Sequence, residues 1–163
     1  MLAFLRSLIT RGPVEAPTAP APEPPGAIPV LAFGEAPPAP PSLTARDMER
    51  LKGVHPDLVR VVIRARVRVP FFVAEGLRTP ERQKQLLAEG KSKTLNSRHL
   101  TGHAVDLYPV SDVPIPKMQM ADFKPLVDAM RAASAVEKAP IVCGYDWGWD
   151  APHFELARSS YPA

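Results

Sequence analysis

The apolar positions of this chain change their period several times after Leu43, and each change marks an element. Thr44-Ala45-Arg46-Asp47 reads as a capping box with Asp in place of Glu. Met48 and Leu51 then continue an apolar face until Gly53, which predicts a short helix. His55-Pro56-Asp57 opens a second helix with Pro56 at its first position. Leu58, Val61, Val62 and Ala65 face inward there, while Arg60, Arg64 and Arg68 form a solvated face. Phe71 to Glu75 has the aromatic and β-branched content of a buried strand, and Gly76 ends it. Thr79-Pro80-Glu81 caps and starts a helix that runs to Ala88 and is closed by Gly90. Arg78 is thereby held at the junction between strand and helix, a place where working groups are often found.

Ala104 to Tyr108 reads as a central strand, and Asp106 is its anomaly, because a carboxylate among Val105, Leu107 and Tyr108 is costly to bury uncompensated. Strand alternation puts Ala104, Asp106 and Tyr108 on one face and His103, Val105 and Leu107 on the other. Asp122 to Val136 forms an amphipathic helix with Phe123, Leu126, Val127 and Met130 as its stripe and Pro125 in the first turn. Ile141 to Gly144 is a short strand and Tyr145 to Trp149 an aromatic loop. Pro152 to Leu156 is a closing strand with His153 and Glu155 on one face and Phe154 on the other. The sum is an α+β domain, a small antiparallel sheet flanked by helices.

Composition changes the picture mainly at the N-terminus. Eleven of the 21 prolines lie between Pro13 and Pro41, a density that cannot build a hydrophobic face and predicts a disordered, extended tether. The expected division is therefore an apolar stub and Pro-rich linker over 1–42 and a folded domain over 43–163. The latter, roughly 120 residues, suffices for a small core. Leu2, Leu5, Leu8 and Ile9 could line a short helix docking on a membrane surface or a partner, although a frayed terminus is the plainer reading. The apolar island Ile28 to Phe33 is a second docking candidate within 1–41, with a passive spacer as its plainer reading. No signal peptide is evident. A pI near 9.2 suits an anionic polymer such as bacterial cell wall without demanding nucleic acid, which is not an expected partner.

The single Cys143 rules out an intramolecular disulfide and a Cys-rich zinc site, so any metal must use His and carboxylate. His99 and His103 have the spacing of a helical metal pair, but Gly102 and the β-prone residues that follow argue against a helix. A turn through Thr101-Gly102 can instead bring His99 beside Asp106, and His153 completes the set from a neighbouring strand. Two imidazoles and one carboxylate leave the fourth tetrahedral position of Zn²⁺ open to water, and Asp150 is placed to take that water's proton. His55 and His103, taken singly, read as satisfied polar residues.

Three segments in order, Glu75 to Gln83, Ser92 to Asp106 and Trp149 to Glu155, resemble the zinc peptidases that include D-alanyl-D-alanine carboxypeptidases and phage L-alanyl-D-glutamate endopeptidases. The resemblance spans about Leu43 to Leu156. It implies His99, Asp106 and His153 as zinc ligands, Asp150 as general base and Arg78 as the cation that steadies the carbonyl oxygen. It also implies Ser97 and Gln83 as substrate contacts and Trp149 as a wall of the cleft. Many relatives carry Glu as the base, so the shorter Asp150 must lie closer to the water. The expected activity is cleavage of the L-alanyl-D-glutamate bond in peptidoglycan stem peptides by a monomeric, endolysin-like enzyme. It would be held in the host cytoplasm until release to the periplasm or wall. A D-alanyl-D-alanine carboxypeptidase is the alternative, and a catalytically silent wall-binding module a more distant one.

Overall fold

The computed structural model describes residues 42–162, so the expectations for the stub, the tether and the apolar island lie outside the described residues. Four helices and four strands follow in the order α1 (Ala45–Arg50), α2 (Pro56–Arg66), β1 (Phe71–Glu75), α3 (Pro80–Ala88), β2 (Ala104–Pro109), α4 (Lys124–Glu137), β3 (Ile141–Cys143) and β4 (His153–Leu156). The strands form one antiparallel sheet in the order β1-β2-β4-β3, with β2 internal as its sequence demands. Among the described residues no helix is long and apolar enough to cross a membrane.

One face of the sheet makes the core. Phe71, Val73, Val105, Leu107, Phe154 and Leu156 join Leu58, Val61 and Val62 of α2 and Leu126, Val127 and Met130 of α4 in a single buried cluster. Arg60 and Arg64 on the outer face of α2 pair with Glu137 at the end of α4, which accounts for the solvated arginine face. Alternation then sends Asp106 and the side chains of His153 and Glu155 to the opposite face. His55 caps α2, its Nδ1 accepting the Asp57 amide hydrogen at 3.2 Å.

Two local details differ from the sequence reading. The fourth helix begins at Lys124, because Met120–Phe123 forms a separate 3₁₀ turn whose entry is closed by Asp122 accepting from the Gln119 amide. The aromatic loop is also wound, over Gly144–Trp147, into a 3₁₀ turn ended by Gly148 in the left-handed region.

Asp47 ties the first helix to the sheet edge. Its carboxylate accepts from the Thr44 amide and hydroxyl and, across 26 residues, from the Val73 amide at 2.8 Å, while only 2% of the residue is exposed. Burial opposes the charge, but these hydrogen bonds outweigh it and hold the carboxyl below the usual aspartate range. Asp47→Ala removes the cap and orphans a buried amide, an expected loss of about 2–3 kcal/mol at pH 7. Because the folded-state pKa is depressed, the ionic part of this stabilisation is present above the unfolded value of about 3.9 and fades as pH falls below it. Urea unfolding of wild type and variant at pH 7 and pH 3 checks both statements, with a smaller difference expected at pH 3.

Candidate metal centre and active site

The site is assembled across three strands and one turn. Glu75, Asp106 and His153 are neighbours in register on β1, β2 and β4. Glu75 shares the parity of Phe71 and Val73, and regular alternation would turn it into the core. A β-bulge between Val73 and Glu75 reverses it onto the face of Asp106.

His99 enters from the 3₁₀ turn Arg98–Thr101, which Ser97 caps through its hydroxyl and Gly102 ends at φ +70°. A Cβ on Gly102 would lie 2.1 Å from the Gly53 carbonyl oxygen, so this turn requires glycine for both space and conformation. Arg98 fastens the turn to the C-terminal segment by donating to the carbonyls of Leu156 and Tyr161.

His99 Nε2, Asp106 Oδ1 and His153 Nδ1 form a nearly equilateral triangle with sides of 3.3, 3.2 and 3.3 Å. These three residues could hold one metal ion. Each imidazole is oriented from behind. His99 Nδ1–H donates to the Gly76 carbonyl at 2.8 Å, which leaves the Nε2 lone pair facing the triangle. His153 Nε2–H donates to Glu155 at 3.2 Å and leaves Nδ1 facing inward.

The electrostatics ask for positive charge here. Burial works against a His153 imidazolium, yet the hydrogen bonds to Asp106 and Glu155 and the charges of Asp106 and Asp150 outweigh it and push the pKa up to about 9. Burial would raise Asp106, but the two imidazoles hold it well below the usual carboxylate range. A cation within the triangle would satisfy the same carboxylates.

Asp150 lies in the turn before β4, its carbonyl accepting from the His153 amide at 3.1 Å. Burial raises its pKa, against the charges of His153, His99 and Arg78, as suits a proton acceptor. Arg78, Ser97, Trp149 and Asp150 line one cleft of about 400 Å³ together with the triangle. Trp147 stacks on Trp149 and lies 5.4 Å from the His153 ring, closing one side of that imidazole.

Gln83 is not among the residues that line this cleft. It is 1% exposed, and its amide accepts from Arg78 and donates to Ser92 and the Thr94 carbonyl, so it braces Arg78 and the following loop from beneath the cleft. Arg78 itself is gripped by Glu75 and Gln83 and reaches Asp106 at 3.5 Å, which leaves part of its five-donor fork for the cleft. His103 meets Thr101 and packs 5.2 Å from His55, away from Asp106 as alternation requires. Sequence reasoning assigned no role to Glu75, Trp147 or Glu155, although it had placed Glu155 on the face of His153.

The family described as phage L-alanyl-D-glutamate peptidase matches residues 42–161. The crystal structure of the Serratia marcescens L-Ala D-Glu endopeptidase ChiX is similar at 43% identity, with a TM-score of 0.66 over 75% of this chain and 94% of that one. No curated protein sequence gives a significant match. With a family match that runs from just before α1 past the end of β4, and a solved relative covered almost in full, this chain belongs to the phage L-alanyl-D-glutamate peptidase family.

Proposed function

We propose that the protein is a zinc-dependent peptidoglycan endopeptidase that hydrolyses the L-alanyl-D-glutamate bond of stem peptides, as an endolysin does. The observation that carries this reading is the triangle of donor atoms. A tetrahedral ion with metal–ligand distances of about 2.0–2.1 Å separates its ligands by about 3.3–3.4 Å, and the sides here are 3.2 and 3.3 Å. Two nitrogens and one oxygen, each imidazole fixed by a partner behind it, are the donor set of a catalytic zinc site. When bound, zinc would supply Lewis acidity, bringing the pKa of a coordinated water toward ~7 and polarising the peptide carbonyl.

The chain's own residues do the rest. Asp150 accepts the proton of the attacking water and returns it to the leaving amine of D-glutamate. Arg78, held rigid by Glu75 and Gln83, offers its remaining donor to the carbonyl oxygen as negative charge gathers there. Ser97 and Trp149 border the peptide, and no covalent acyl-enzyme is required. The catalytic domain is read as residues 43–163, acting as a monomer. The stub and linker over 1–42 precede it, and the enzyme waits in the host cytoplasm before release to the wall.

His103→Ala should retain zinc and most activity, because His103 faces away from Asp106; loss of metal in that variant, measured by elemental analysis, would overturn the choice of His99. The bond itself is tested by mass spectrometry of purified muropeptides after digestion. New N-terminal D-glutamate is the expected product, and release of free D-alanine in its place would reassign the enzyme as a carboxypeptidase.

A further inference from the structure

Lys93 stands apart from the other cations of the cleft. Arg78 is held by Glu75 and Gln83, Lys91 by Glu89, Arg158 by Glu155, and Arg98 by two backbone carbonyls. Among the described residues Lys93 alone of this group has no carboxylate or carbonyl partner. Its ammonium lies 3.8 Å from the ring centroid of Trp149, over the indole face. Such a contact at an exposed position is weaker than a charge-assisted hydrogen bond, so an arriving anion can take its place.

Trp149 and Asp150 also border a second cavity, of about 420 Å³, lined by Tyr108, Met118, Met120 and Phe123 and by no lysine or arginine. Charge is thus distributed unevenly between the two cavities that Trp149 and Asp150 border: cationic side chains line the first and none lines the second. The bond between L-alanine and D-glutamate has the same asymmetry. Its acyl side carries only a methyl group and neutral backbone. Its amine side carries glutamate, which has two carboxyl groups and can continue a chain through only one, so a carboxylate stays free.

We propose that Lys93 is a specificity-determining residue that binds this free carboxylate, placing the D-glutamyl side of the scissile bond in the cationic half of the cleft and the alanyl side toward Tyr108 and Met118. The inference rests on the endopeptidase reading above. It assigns Lys93 to binding and not to the chemical step, so its effect belongs in KM.

The test uses the full chain and two synthetic muropeptide analogues that differ only in whether the free carboxylate of D-glutamate is left as the acid or converted to the carboxamide. Wild type should show a KM about tenfold lower for the acid, with similar kcat. Lys93→Met should raise KM for the acid by about tenfold, leave the amide unchanged and so abolish the discrimination; Lys93→Arg should restore most of it. Lys93 is exposed, so these variants fold. If wild type cuts both analogues with equal KM, or if Lys93→Met keeps the wild-type ratio, the assignment of Lys93 is overturned while the endopeptidase reading survives. If wild type cuts neither analogue between alanine and glutamate, that reading fails and the inference falls with it.

Discussion

His153→Ala should yield a protein that no longer retains a divalent ion and whose peptidase activity is at background. His153 contributes one corner of the triangle, and its removal leaves two donors that cannot close a tetrahedral site. The loss in zinc affinity should exceed the about 10–100-fold that removing a residue merely supporting a ligand costs. Three carboxylates, those of Asp106, Asp150 and Glu155, also lose the imidazole they share, so the metal-free variant should be less stable than metal-free wild type. Isothermal titration with zinc, alongside circular dichroism to confirm the fold, reads this directly. Should the alanine variant prove too unstable, His99→Gln removes another corner from a turn outside the sheet. Unchanged zinc affinity in either variant would remove the triangle from the account.

Asp150→Ala should separate chemistry from metal binding. Zinc remains at wild-type stoichiometry, because Asp150 is not one of the three converging donors, while kcat falls by about 10²–10⁴-fold with little change in KM. An unassisted water must then lose its proton to solvent, and the leaving amine must find one there. Normal turnover by this variant would exclude Asp150 as the base. A parallel loss of zinc would instead make it a ligand.

Much of this site was legible in the chain because its elements carry local signals. Thr79-Pro80 and Gly90 bound the third helix as read, and the apolar runs of β1, β2 and β4 lie where their side-chain content put them. Asp106 stood out as a charge inside an apolar strand, and the turn that brings His99 to it depends on Gly102, a visible breaker. What escaped depends on contacts that no period encodes. Glu75 reaches the site only because a bulge reverses its parity, and nothing in Phe-Phe-Val-Ala-Glu announces an extra residue. Gln83 sits on a helix whose pattern fits either an exposed or a bracing role, and only the approach of Arg78, Ser92 and Thr94 decides between them. Trp147 and Lys93 gain their meaning from loops folded against each other across the cleft.

We propose that His99, Asp106 and His153 grip one zinc ion and that hydrolysis depends on it. Elemental analysis of purified protein, combined with peptide cleavage before and after chelation, tests it most directly. One zinc per chain is predicted, with cleavage lost on its removal and regained when zinc is restored. No stoichiometric transition metal, together with full cleavage in the presence of chelator, would contradict it.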